Sequence, residues 1–173
     1  NFLLNEQQDK AVDAFIEAVQ KDPDTAELHF ALGNLFRRRG EVERAVRVHE
    51  HLIARADLSA TDRARAQHAL AQDFMRAGLF DRAEAAYRKL EGTAFADEAR
   101  LALLTLYERS RDWAAASQVA EQLERADRGS FGVRIAHYQC EIALAAAAQG
   151  QPVEADAALQ RARAAAPQAA RPL

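Results

Sequence analysis

The chain has 173 residues, of which 49% are hydrophobic but only 7% aromatic, and alanine, the best helix former, makes up the difference. With 7 Gly and 4 Pro the chain has few turn-forming residues, which argues against an all-β fold, so an all-α fold is predicted. A net charge of −3 is too small an imbalance to indicate nucleic-acid binding, and the single Cys140 excludes an internal disulfide and an all-cysteine metal site.

Alanine recurs along the chain at a spacing typical of a helical repeat. The positions are Ala11, Ala45, Ala83, Ala116 and Ala155, with spacings of 34, 38, 33 and 39 residues. A period of about 34 residues is the mark of the tetratricopeptide repeat, whose antiparallel helix pairs stack into a right-handed superhelical solenoid. Each alanine is predicted just past a turn, at the start of a second helix, where a larger side chain would push the crossing helices apart.

The first repeat is predicted to be incomplete, spanning residues 1–25. Residues 2–4 are interpreted as the tail of an upstream helix, residues 6–20 as the second helix of the pair, and Pro23 as its end. Because the chain begins without methionine and inside a repeat, we expect it to be a fragment of a longer protein.

The complete repeats are predicted at about 26–59, 64–97, 97–129 and 136–169, within one repeat domain that spans 1–173. In the first of them Gly33 is expected to allow close helix approach and Gly40 to end a helix in the left-handed conformation. Ser59 or Thr61 is the expected cap of the next helix. In a later repeat, Arg111 and Asp112 replace the turn glycine.

Aromatic and aliphatic side chains recur directly after three of the predicted turns, at Val42, Phe80 and Trp113. Recurrence at one repeat position favours packing between paired helices over a ligand-binding platform.

Solenoids of this kind usually bind proteins, so the candidate site is the inner face formed by the first helix of each pair. The residues of that face predicted to form a protein-binding groove are Asn34, Arg37, Arg38, Gln72, Arg76 and Arg109. Other inward positions include Phe30, Met75 and Glu108. Arginine forms forked hydrogen bonds to carboxylates, so this groove suits acidic partners. The alternative is that these side chains are simply solvated and that binding occurs elsewhere.

The sequence gives little support for a carboxylate clamp, a metal site or a catalytic centre. A carboxylate clamp needs a basic residue where Phe30 stands. His137 and Cys140 share a helix face, but two ligands do not make a zinc site, so packing or groove lining is predicted for them. Phosphate-binding loops, nucleophile elbows and acid–histidine pairs are not recognisable, so no catalytic residue and no metal ligand is proposed.

Four strings closely resemble the lipopolysaccharide assembly protein B family, and the first two are more specific than a repeat consensus requires. They are the stretches at residues 1–11, 33–45, 77–84 and 135–141. The resemblance implies a Gram-negative inner-membrane protein that faces the cytoplasm, with an N-terminal anchor, tetratricopeptide repeats and a C-terminal rubredoxin-like domain. The anchor and the metal cysteines are not found in these 173 residues, so any iron or zinc is expected in the rubredoxin-like domain and no cofactor in this segment.

The resemblance also implies partners. Family members are similar in role to an adaptor that works with the membrane protease FtsH to promote degradation of the LpxC deacetylase, under restraint by inner-membrane lipopolysaccharide regulators. The alternative is a structural hub that gathers lipopolysaccharide assembly proteins without a proteolytic role. An enzymatic function is not expected, and self-association as a homodimer is left open.

Overall fold

In a computed structural model, residues 2–21 and 26–167 are described, without the side chains of residues 16, 19 and 20. These residues form helices and no strand, which confirms the predicted all-α fold. The helices are α1 (Phe2–Gln20), α2 (Ala26–Arg38), α3 (Val42–Ala54), α4 (Ala60–Ala77), α5 (Phe80–Arg88), α6 (Ala96–Ser110), α7 (Trp113–Arg125), α8 (Gly132–Ala148) and α9 (Pro152–Ala165).

The helices fall into two compact units, a first unit of Asn1–Ala94 and a second unit of Phe95–Leu173. Within them, helices that are adjacent in sequence pack as the pairs α2–α3, α4–α5, α6–α7 and α8–α9. None of the described helices is both long enough and apolar enough to cross a bilayer.

The recurring alanines lie where the helix pairs cross. Ala45, Ala83, Ala116 and Ala155 are each the fourth residue of the second helix of a pair, and their exposed fractions are 0%, 0%, 0% and 8%. For these four positions the predicted role is confirmed, because a buried methyl group lets two helices approach closely.

The prediction for Ala11 was wrong. Residues 2–20 form one continuous helix instead of a helix tail, a turn and a second helix, and Ala11 is exposed in its middle. The segment contains neither glycine nor proline to interrupt a helix, which accounts for the continuity. Pro23, predicted to close this repeat, lies outside the described residues.

The turns between paired helices use the left-handed conformation. Gly40 has φ 81° and Arg111 has φ 59°, so both predicted turn positions are confirmed. Arg111 adopts this conformation although it carries a Cβ, which disfavours it. At the start of α4 the Ser59 hydroxyl accepts a hydrogen bond of 3.1 Å from the Asp62 amide, so Ser59 is the cap.

Two hydrophobic clusters lie in the core of the first unit. One contains Leu32, Phe36, Ala45 and Val48, with Val12 of α1 packed against it. The other contains Phe30, Leu52 and Ala66. Burial of these apolar side chains holds α2, α3 and α4 together and positions the polar residues described next.

Candidate protein-binding cleft and the buried network beside it

Four of the six predicted groove residues line one cleft of the first unit. The cleft has a volume of about 560 Å³ and lies between α2 and α4, where its lining residues are Arg37, Arg38, Gln72, Met75 and Arg76. Asn34 is half-buried and contacts this group through Arg37. Arg109 is exposed on α6, which belongs to the second unit.

Arg37 is held inside the fold by three acceptors. Its Nη1 donates to Asp73 Oδ1 at 3.0 Å and to the Ala69 carbonyl at 3.1 Å, and its Nη2 donates to Asn34 Oδ1 at 2.9 Å. The side chain is only 19% exposed. The guanidinium therefore ties α2 to α4, and its positive charge is already balanced by Asp73.

Asp73 is fully buried and also binds His49 of α3. Oδ2 of the carboxylate is hydrogen-bonded to His49 Nδ1, which makes Nδ1 the protonated nitrogen, because an ionised carboxylate only accepts. Both side chains have 0% exposure. The carboxylate thus links three helices, with Arg37 of α2 on one oxygen and His49 of α3 on the other.

The other nitrogen of His49 faces Gly33. His49 Nε2 has no hydrogen-bond partner among the residues that the structure describes. The imidazole lies so close to Gly33 that a Cβ there would meet Nε2 and come within 2.8 Å of Cε1. The predicted close approach at Gly33 is confirmed. The sequence reasoning missed Asp73, although it falls in register with the buried positions Ala66, Ala69 and Leu70 of α4.

The positive charges of two cleft arginines are not balanced by a nearby acid among the described residues. Within the described part of the chain, neither Arg38 nor Arg76 forms an ion pair or a side-chain hydrogen bond, and both are exposed. Nearby arginines behave differently: Arg65 pairs with Glu27 at 2.6 Å and Arg44 pairs with Asp9. The cleft therefore presents two uncompensated positive charges.

Phe30, predicted to face the groove, belongs instead to the core. Its exposed fraction is 1%, and the Arg65 guanidinium lies over its ring at 4.0 Å from the centroid. Burial of a large aromatic side chain is favourable, and the Arg65 guanidinium covers one face of the ring in a cation–π contact.

The second unit has its own polar cluster, between α6 and α8. The Tyr138 hydroxyl donates to Glu108 Oε1, and Arg134 Nε donates to the same oxygen at 3.1 Å. The Tyr138 ring stacks on Trp113, with centroids 5.9 Å apart, and Trp113 also contacts the edge of His137 at 5.4 Å. Trp113 thus packs against α8, outside its own pair α6–α7, whereas packing between paired helices was predicted. His137 contacts Trp113 but is itself exposed.

Burial and hydrogen bonding in this cluster shift the pKa values of Tyr138 and Glu108. Burial, together with the hydrogen bond to Glu108, raises the pKa of Tyr138 to about 12. Burial would also raise the pKa of Glu108, but hydrogen bonds from Tyr138 and Arg134 outweigh it and hold that pKa below its usual value.

Replacing Tyr138 with phenylalanine should remove a tyrosine that ionises near pH 12. The folded pKa of Tyr138 lies above the unfolded value of about 10, so the neutral hydroxyl stabilises the fold below pH about 10, and this contribution is lost as the pH rises to about 12. Alkaline titration of tyrosine absorbance should show a transition near pH 12 in the wild-type protein and not in Tyr138→Phe. Coincident curves for the two proteins would contradict the assignment.

Among the described residues, no group of three or more His, Cys, Asp or Glu side chains could hold a metal ion. Cys140 is exposed.

The fold identifies the class of protein. BtubC from P. vanneervenii covers 94% of this chain and 73% of its own length, with a TM-score of 0.51 and 17% identity. A kinesin light chain with nearly identical tetratricopeptide-like repeats from Podospora anserina covers 98% of this chain and 91% of its own length, with a TM-score of 0.53 and 21% identity. The chain thus has a tetratricopeptide-like fold of paired helices.

The sequence identifies the family. The chain is 46% identical over 145 residues to lipopolysaccharide assembly protein B of Escherichia coli K12. This match covers 83% of the chain and 37% of that protein. It is 38% identical over 150 residues to the Haemophilus influenzae protein of the same name, and this match covers 82% of the chain and 38% of that protein. No family model matches the chain. The chain belongs to the lipopolysaccharide assembly protein B family and spans somewhat more than a third of the length of these relatives.

Proposed function

We propose that this chain is the protein-binding segment of a non-enzymatic adaptor that regulates lipopolysaccharide biosynthesis. It acts at the cytoplasmic side of the inner membrane, where contacts of its repeats bring the LpxC deacetylase to the FtsH protease. Membership of the lipopolysaccharide assembly protein B family supports the process, and the tetratricopeptide-like fold supports action through protein contacts.

One observation carries the protein-binding part of this proposal. The cleft between α2 and α4 presents Arg38 and Arg76, which have no partner among the described residues, beside an Arg37 that is held by Asp73. Uncompensated arginines on a rigid scaffold are suited to bind carboxylates, because their forked donors lose little freedom on binding. Arg109, exposed on α6 of the second unit, is proposed as a separate contact for protein partners.

The alternative is a structural hub that gathers lipopolysaccharide assembly proteins without presenting any of them to a protease. The same fold and family membership support such a hub, and its partners would also be proteins. The two functions differ in one consequence, since only an adaptor changes the lifetime of its client.

The test is the half-life of LpxC in cells depleted of the full-length protein. We expect a several-fold longer half-life on depletion and a return to the normal value when the wild-type protein is supplied. An unchanged half-life on depletion would contradict the adaptor and leave the hub. An unrelated FtsH substrate, followed in the same cells, controls for a general loss of protease activity.

A further inference from the structure

The two unpaired arginines of the α2–α4 cleft point to the chemistry of its partner. We infer that the cleft binds an acidic peptide segment, in which side-chain carboxylates pair with Arg38 and Arg76 around an apolar residue that contacts Met75. This inference deepens the proposed function, on which it rests for a protein partner. It names the kind of segment that the partner presents.

The pairing of the surrounding charges supports this assignment. Arg37 is neutralised by Asp73, Arg65 by Glu27, and Arg39 by Glu41 at 3.3 Å. The charge that remains in the cleft therefore comes from Arg38 and Arg76. A guanidinium without an internal acceptor gains most from a charged ligand, because no existing ion pair is broken.

The lining of the cleft limits what lies between the two carboxylates. Met75 is half-buried, and its flexible thioether packs readily against apolar side chains. Gln72, also half-buried, offers an amide that both donates and accepts, which suits a peptide backbone. A volume of about 560 Å³ lies within the usual range of ligand pockets, about 300–1,000 Å³.

The neighbouring surface argues against a long polyanion. Arg76 also lines a second cleft, of about 710 Å³, whose other residues include Asp9, Glu41 and Glu43. In that cleft Arg44 pairs with Asp9 and Glu41, and among the described residues Glu43 alone of these acids has no ion pair. The charge of Glu43 would oppose a nucleic-acid strand or an anionic membrane that crossed both clefts. A short acidic segment confined to the first cleft avoids it.

The test measures binding of a fluorescein-labelled peptide that alternates glutamate with leucine, by fluorescence anisotropy on the full-length protein. A second peptide has glutamine in place of every glutamate. We expect the acidic peptide to bind about tenfold more tightly, and Arg38→Glu or Arg76→Glu each to raise its Kd by about tenfold or more.

Arg47→Glu and Arg82→Glu are the matched controls. Both arginines are exposed in the first unit, outside the α2–α4 cleft, and neither has an ion-pair partner among the described residues. Each control makes the same change in net charge, so we expect its Kd to stay within about threefold of wild type. Far-UV circular dichroism verifies that all four variants are folded.

Three results would overturn the inference: equal binding of both peptides, an equal effect of the cleft and control variants, or tighter binding of single-stranded DNA or anionic-lipid vesicles than of the acidic peptide. The outcome is separate from that of the LpxC experiment. Arginine-dependent peptide binding with an unchanged LpxC half-life would support the cleft and contradict the adaptor. The reverse result would support the adaptor and move its binding surface elsewhere.

Discussion

Replacing Asp73 with alanine should destabilise the first unit by about 3–5 kcal/mol. The substitution removes a fully buried carboxylate. Among the described residues, it leaves the buried His49 ring without a hydrogen-bond partner and removes the acid that pairs with Arg37. Removing one partner of a buried charged pair costs stability because the remaining partners, here His49 and Arg37, stay largely buried without it. Chemical denaturation followed by circular dichroism measures the loss.

Asp81→Ala serves as the control for this substitution. Asp81 lies exposed in the first turn of α5, where a carboxylate contributes only through the helix dipole, so its loss should cost less than about 1 kcal/mol. Equal stabilities of Asp73→Ala and Asp81→Ala would show that the buried network does not hold the three helices together.

Replacing Trp113 with alanine should destabilise the second unit by about 2–3 kcal/mol. The ring is half-buried at the start of α7 and stacks on Tyr138 at an interplanar angle of 18°. A fully buried tryptophan would cost about 3–5 kcal/mol, and partial exposure lowers that figure. Denaturant melting followed by far-UV circular dichroism provides the measurement.

Trp113→Phe retains a ring that can stack on Tyr138 and should lose about 1 kcal/mol or less. If Trp113→Ala itself lost well under 1 kcal/mol, the packing role assigned to this side chain would be wrong.

The regular parts of the fold were predictable because they depend on local chemistry. A small residue is required wherever two paired helices cross, so the spacing of Ala45, Ala83, Ala116 and Ala155 marks the helix pairs in advance. Ala11 has the same spacing but no turn before it, and the continuous α1 shows that the period alone is insufficient. A turn signal must accompany the alanine.

The buried network was not predictable in the same way. Asp73 is separated from Arg37 by 36 residues and from His49 by 24, and an aspartate within a polar helix is usually solvated. Only the packing of α2 against α4, with α3 alongside, reveals that this carboxylate has two partners. Arg37 was thus grouped with the groove residues, whereas its hydrogen bonds also make it part of the core.

This double role affects how the cleft should be tested. Arg37→Glu would place a second carboxylate beside buried Asp73 and weaken the fold, so loss of function in that variant would not separate binding from stability. Arg38 and Arg76 are exposed and unpaired within the described chain, so their reversal changes the cleft with little effect on folding.

The most direct test of the account is rescue of LpxC turnover in depleted cells by full-length protein that carries Arg38→Glu and Arg76→Glu together. We predict that this double variant accumulates normally and leaves LpxC long-lived, whereas the control with Arg47→Glu and Arg82→Glu restores a short half-life. Restoration of turnover by both double variants would contradict a role for the α2–α4 cleft in presenting the client.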